Sequence, residues 1–108
     1  MNRLDGKTAL ISGASRGIGA AAANLMISVG ANAIIGDVLK SKGEETAQTL
    51  GPNAKFIHLD VTDENDWSNA VNLAVDQFGG LDILVNNAGL FLGRDFSDIS
   101  IDDWNRLA

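Results

Sequence analysis

At 108 residues the chain is about one small domain, and its 45% hydrophobic and 20% charged residues, with 12 glycines and one proline, are those of a globular protein. A net charge of −6 without a long basic stretch argues against nucleic acid, and the lack of any cysteine excludes disulfides and thiolate metal sites. The first six residues hold no signal-like apolar core, and the longest weakly polar stretch, 17–29, is broken by Asn24 and Ser28 and is too short to span a bilayer, so the default expectation is a cytoplasmic protein without a membrane partner.

Residues 7–12 read as a β-strand running into a glycine-rich turn, and the alanine-rich stretch 17–29 as a helix with Gly30 at its C-terminal cap. Residues 31–36 form a second apolar strand ending at Asp37, and 41–50 a surface helix closed by Gly51-Pro52. A third strand covers 55–59. Thr62 is placed to cap the next helix, with Asp63, Glu64 and Asp66 at the positive end of its dipole. Trp67, Ala70, Val71, Ala74, Val75 and Phe78 recur at intervals of three and four, an apolar stripe. Gly79-Gly80 ends this helix, and 81–85 reads as a fourth strand leading into Asn86-Asn87-Ala88-Gly89. Ser100-x-x-Asp103 resembles a capping box at the start of one more helix. Such alternation predicts an α/β fold of parallel strands joined by right-handed crossovers, with helices on both faces. Strands 1, 2 and 4 are near-continuous apolar runs, as strands covered on both sides should be.

The turn Gly13-Ala14-Ser15-Arg16-Gly17-Ile18-Gly19 carries the first functional signal. A diphosphate must approach bare backbone N–H groups at a helix N-terminus, where side chains would block it. Glycine is therefore expected at the tight turn (Gly13), at the closest backbone contact (Gly17) and where helix packs on strand (Gly19). The spacing Gly-x-x-x-Gly-x-Gly differs from the general Gly-x-Gly-x-x-Gly fingerprint, and its context of strand, helix and acid gives it weight. That acid is Asp37, whose carboxylate can accept from the ribose hydroxyls of NAD and repel the 2′-phosphate of NADP. Its alternative is an ordinary loop acid. Arg16 could meet a 2′-phosphate, pair with Asp37, or face solvent; since Val38 adds no second cation, NAD is expected and NADP is less favoured.

In this order, Ser12 to Gly19, Asp60-Val61 and Asn86 to Gly89 resemble the short-chain dehydrogenase/reductase family over nearly the whole chain, with Ser12 where that family usually has Thr. The Asp37 region is similar to that of bacterial NAD-linked hydroxysteroid and other secondary-alcohol dehydrogenases. The resemblance implies a Rossmann-type doubly wound sheet with strand order 3-2-1-4 present and the remainder missing. It also implies that residues 1–108 are the N-terminal, dinucleotide-binding part of one domain, truncated before its catalytic half. In that family Gly13, Ser15, Arg16, Gly17, Ile18 and Gly19 would hold the diphosphate and adenosine ribose, and Asp37 and Val38 would line the adenosine side. Asp60 would accept from the adenine amino group, with the Val61 N–H beside it. Asn87, Ala88 and Gly89 would pass along the nicotinamide ribose, with Asn86 stabilising the central sheet. Blander readings are a turn role for Asp60 and a simple post-strand turn for the Asn-Asn-Ala-Gly run.

His58, the only histidine, is expected to be a structural strand residue, and Trp67 and Trp104 to be packing or interface residues. Phe91, Leu92 and Phe96 are expected in the core rather than at substrate, and no spacing suggests a metal. Family members carry a catalytic Tyr four residues before a Lys, with a Ser and an Asn, and serve as dimers or tetramers acting on small alcohols or ketones. This sequence has no tyrosine, and Asn105 falls one helical turn too early to be the family's Asn. The competing readings are a catalytically inactive dinucleotide-binding module and a flavin- or nucleoside-sugar-binding relative. Cut at strand 4, the isolated chain is expected to be marginal, to self-associate or to pair with a separate C-terminal piece. Purified alone, the 108 residues should show no NAD-dependent alcohol oxidation in a spectrophotometric assay; measurable turnover would overturn this reading.

Overall fold

A computed structural model of the protein describes residues 4–87. Seven elements alternate: β1 (Thr8–Ser12), α1 (Gly17–Ser28), β2 (Asn32–Asp37), α2 (Lys40–Leu50), β3 (Ala54–His58), α3 (Glu64–Phe78) and β4 (Ile83–Asn86). The four strands form one parallel sheet in the order β3-β2-β1-β4, as the resemblance implies. Its register sets Leu10 beside Ile34 and Leu84, and Ile11 beside Ile35 and Val85.

Side chains alternate across a strand, so β1 and β2 serve two cores. Ala9, Ile11, Ala33 and Ile35 pack with Ala23 of α1 and Ala47 of α2 on one face. Leu10 and Ile34 pack with Ala70 and Ala74 of α3 on the other. Helices thus cover both faces, a Rossmann-like doubly wound sheet. Alanine at these helix positions lets each helix lie close on the sheet, and every residue of β1 is buried. β4 is only half-buried along its length, short of the two-sided cover expected for it, because among the described residues it is bonded to β1 alone. It also starts two residues later than the hydrophobic pattern suggests: Leu81 packs into the α3 core and Asp82 fastens the start of β1 instead. The Asp82 N–H donates to the Thr8 carbonyl at 2.9 Å, and its carboxylate accepts from the Thr8 N–H at 2.9 Å.

The α3 stripe differs in two places. Val75 is 50% exposed, while Leu73, which the three-four spacing omits, packs against the core. The buried line runs through Ala70 and Ala74, and successive helical residues are rotated by about 100°, so residue 75 turns to solvent. The N-terminal cap also shifts by one residue. Asp63, not Thr62, caps α3, accepting from the backbone N–H groups of Asn65 and Asp66. Thr62 is turned back and donates to Asp60 through its backbone N–H (2.9 Å) and its hydroxyl (2.6 Å). Two adjacent cap-type residues compete for one position, and the bond from the Asp63 N–H to the Asp60 carbonyl at 2.9 Å fixes the turn in favour of Asp63.

Two substitutions probe this packing. A Cβ on Gly19 would lie 2.3 Å from the Gly13 carbonyl oxygen and 2.8 Å from the Ala14 Cα, backbone atoms that cannot swing aside. Gly19→Ala should lower the unfolding free energy of the full-length protein by roughly 1–3 kcal/mol in urea titrations, despite the helix-favouring gain of alanine. Among the described residues, the Thr8 hydroxyl is the one buried side-chain polar atom without a hydrogen-bond partner. Thr8→Val keeps the shape and removes the orphan, and should raise the midpoint by an amount equivalent to about 1 kcal/mol.

Candidate functional site

The site forms where β1 stops. Gly13 takes φ +63°, the left-handed region that costs other residues about 1–2 kcal/mol, and turns the chain away from the sheet. The Ala14 N–H still donates to the Gly36 carbonyl at 3.1 Å, which holds the turn against the end of β2. Arg16 is extended, and Gly17, at φ +62°, opens α1. An added Cβ on Gly17 would meet no protein atom within 4 Å, so glycine serves the backbone conformation there and leaves the approach clear. Gly19 makes the close helix-to-turn contact that its place in the motif suggests.

The two helix starts on opposite faces of the sheet differ. α3 satisfies its own N-terminus with the Asp63 cap and carries Glu64 and Asp66 in its first turn. α1 has no capping side chain and no acid in its first turn. Its leading N–H groups and the positive end of its dipole face outward bare, an arrangement that could hold a diphosphate.

Gly13, Arg16, Gly17, Ile18, Asp37, Val38 and Asn87 come together around one groove of about 490 Å³, joined by Leu39, which the motifs do not single out. Asp37, the last residue of β2, is buried. Its Oδ2 accepts from the Ser15 N–H at 3.1 Å and the Ser15 hydroxyl at 2.5 Å, and its Oδ1 from the Leu39 N–H at 3.2 Å. Burial pushes its pKa up, but these bonds from Ser15 and the following backbone outweigh that and hold the carboxyl below its ordinary value. Arg16 makes no ion pair with Asp37; its exposed side chain borders a second groove with Lys40 and Lys42, a basic flank beside the acid. Ile18 is 78% exposed at the mouth of the site.

On the β4 side, the Asn87 amide donates to the Gly13 carbonyl at 3.2 Å, and the Asn86 side-chain oxygen accepts from the Ser12 hydroxyl at 3.0 Å. Asn87 therefore ties the end of β4 to the glycine turn, and Asn86 ties it to Ser12, the last residue of β1. Ala88 and Gly89 lie outside the described residues, as do Phe91, Leu92, Phe96, Trp104 and Asn105.

Asp60 and Val61 follow β3 and do not line the Asp37 groove. Bonds from the Thr62 hydroxyl and N–H hold the Asp60 carboxyl below its ordinary pKa, a turn role it fills whether or not a base lies beside it. Val61 packs toward the α3 core, and its carbonyl accepts from the Trp67 indole at 2.9 Å. His58 ends β3 exposed, its Nδ1 3.1 Å from Asp66 Oδ2, which also accepts from the Asp60 N–H at 2.9 Å. Among the described residues no cluster of three or more His, Cys, Asp or Glu could hold a metal, and no helix is long and apolar enough to cross a membrane.

Sequence reasoning missed Leu39 and Thr46. The Thr46 hydroxyl of α2 donates to the Ser15 carbonyl at 2.5 Å, a contact between residues 31 apart that no local pattern announces.

Comparison with known proteins places this geometry. The chain is 43% identical to a trans-4-hydroxycyclohexanecarboxylate dehydrogenase of Sinomonas cyclohexanicum, covering 97% of this chain and 44% of that protein. It is also 43% identical to a 3-alpha-(or 20-beta)-hydroxysteroid dehydrogenase of Mycobacterium tuberculosis, covering 97% of this chain and 40% of that one. A crystal structure of a hydroxysteroid dehydrogenase from Escherichia coli superposes with a TM-score of 0.72 at 36% identity, covering 78% of this chain and 37% of that chain. The chain thus spans less than half the length of these relatives. The family model for short chain dehydrogenases matches residues 7–108, and the chain belongs to that family.

Proposed function

We propose that the protein carrying this chain is an NAD-linked oxidoreductase that moves a hydride between nicotinamide and a secondary alcohol or ketone, and that this chain supplies the cofactor-binding half. The observation that carries the reading is the juxtaposition of a bare α1 N-terminus with the buried, ionised Asp37 at the next strand end. The first favours a diphosphate, and the second a ribose diol over a ribose phosphate. The bound dinucleotide would supply the hydride chemistry.

In this reading the turn made by Gly13, Ser15, Arg16, Gly17, Ile18 and Gly19 holds the diphosphate, with Ser15 acting through Asp37. Asp37 and Val38 meet the adenosine ribose, Asp60 and Val61 the adenine, and Asn87, Ala88 and Gly89 the nicotinamide ribose. Asn87 then acts through its bond to the Gly13 carbonyl, holding the turn and the β4 end at one spacing. The substrate is a small hydroxy compound; the relatives named for hydroxysteroids and for a hydroxycyclohexane acid support that class. A cytoplasmic homo-oligomer, dimer or tetramer, is the assembly this family reading implies.

The basic flank of Arg16, Lys40 and Lys42 stands ready to favour a phosphate once the acid is removed. Asp37→Ala should therefore weaken NAD and shift the NAD-over-NADP preference toward NADP by about tenfold or more. A hydrogen bond to a charged group contributes roughly 1.5–3 kcal/mol, and 1.4 kcal/mol is tenfold in affinity. Calorimetric titration of both cofactors into the full-length protein reads the ratio; an unchanged preference would remove the NAD assignment.

A further inference from the structure

Ser15 lies inside the phosphate-binding turn, where a serine hydroxyl would ordinarily be expected to reach for the ligand. Its environment argues otherwise. Ser15 is 1% exposed, and its hydroxyl sits 2.5 Å from Asp37 Oδ2. A hydroxyl has one proton to donate, and the ionised carboxylate, a pure acceptor, takes it. The Ser15 N–H also points to Asp37 Oδ2, at 3.1 Å. One residue thus gives two bonds to one carboxylate oxygen.

The carboxylate has about four acceptor sites. Oδ2 receives the two bonds from Ser15, Oδ1 receives the Leu39 N–H at 3.2 Å, and the Val38 N–H also bears on the carboxylate. Oδ1 is thus the oxygen that Ser15 leaves clear, and the carboxylate can no longer rotate freely about its Cβ–Cγ bond. Ser15 is itself secured from α2, through the bond from the Thr46 hydroxyl to its carbonyl. Two neighbouring elements, the turn and α2, converge on the orientation of one acid at the rim of the groove.

We propose that Ser15 is a positioning residue that sets cofactor choice: it holds the Asp37 carboxylate so that Oδ1 is left to accept from the adenosine ribose of NAD, and Thr46 holds Ser15. The inference rests on the NAD reading of Asp37 above. It reassigns Ser15, hydroxyl and N–H alike, from a ligand contact to a support for the acid within the turn.

The test is a double-mutant cycle on cofactor preference, with NAD and NADP titrated calorimetrically into the full-length protein and folding checked by circular dichroism. Ser15→Ala should lower the NAD-over-NADP preference roughly five- to tenfold, the loss of one charge-assisted bond. In an Asp37→Ala background the same change should move the preference less than about twofold, because the group it orients is gone. A general loosening of the turn would instead weaken both cofactors alike and would persist without Asp37. Thr46→Val, which removes a hydroxyl outside the turn at nearly constant shape, should reduce the preference in the same direction and decides the matter if Ser15→Ala does not fold. A preference unchanged in these variants, or an equal effect of Ser15→Ala with and without Asp37, overturns the positioning role. If Asp37→Ala itself leaves the preference unchanged, the NAD reading fails and this proposal falls with it. If Asp37→Ala shifts the preference and Ser15→Ala does not, only the positioning role fails.

Discussion

Gly19 lies so near the glycine turn that a single methyl group there would sit 2.3 Å from the Gly13 carbonyl oxygen. That approach fixes α1 against the end of β1, and the rest of the site depends on it. With the helix seated there, its first N–H groups open beyond the strand end rather than over the sheet. Gly13 and Gly17, both at positive φ, make the path between strand and helix short enough. A larger residue at any of the three would move the helix, distort the turn or narrow the approach. Ala14 in the turn and Ala23 on the helix are buried in the same core cluster and continue the close fit.

Asp37 is the second fixed point, and it is held by the same register. Parallel pairing sets Ser12 beside Gly36, so the turn just past β1 meets the last residues of β2: Ala14 bonds Gly36, and Ser15 bonds Asp37. Burying a carboxylate is costly unless its oxygens are satisfied, and here Ser15 and the backbone of Val38 and Leu39 satisfy them. The net effect keeps the group charged at neutral pH although it is buried, since the bonds outweigh the loss of water. A charged, oriented acceptor in a half-dry groove discriminates ligands better than the same group free in water.

Much of this is legible in the sequence, and the parts that are not share one physical cause. Element order, the parallel sheet and both faces of helices follow from apolar runs, glycine punctuation and the three-four stripe, all local signals. The glycine positions were readable because each satisfies a backbone demand that only its residue type meets. What escaped were long-range side-chain choices. Thr62 and Asp63 are both cap formers, and only the bonds made by Asp60 decide between them. Leu73 joins the core and Val75 leaves it because α3 is rotated by the alanines it packs on the sheet. Arg16 had three open fates. It borders both the Asp37 groove and the flank of Lys40 and Lys42, and makes no ion pair with Asp37.

The order β3-β2-β1-β4 explains why the separate motifs can act as one site. The crossovers from β1 and β2 lie on one face of the sheet, while α3 crosses on the other to place β4 beside β1. Strand order reverses at β1, and in open parallel sheets the crevice for a ligand opens at such a reversal, outside the carboxyl ends. The glycine turn follows β1 and the asparagine pair follows β4, on the two sides of that crevice. They are not merely neighbours: Asn87 reaches the Gly13 carbonyl, and Asn86 meets the Ser12 hydroxyl one residue earlier. Segments 74 residues apart are thereby locked at a single spacing by side-chain bonds as well as by the ladder. With Asp37 fixed on the β2 side by Ser15, the three strand ends form one rigid rim, so a long ligand lying along it would meet acceptors and donors whose separations are set before it binds.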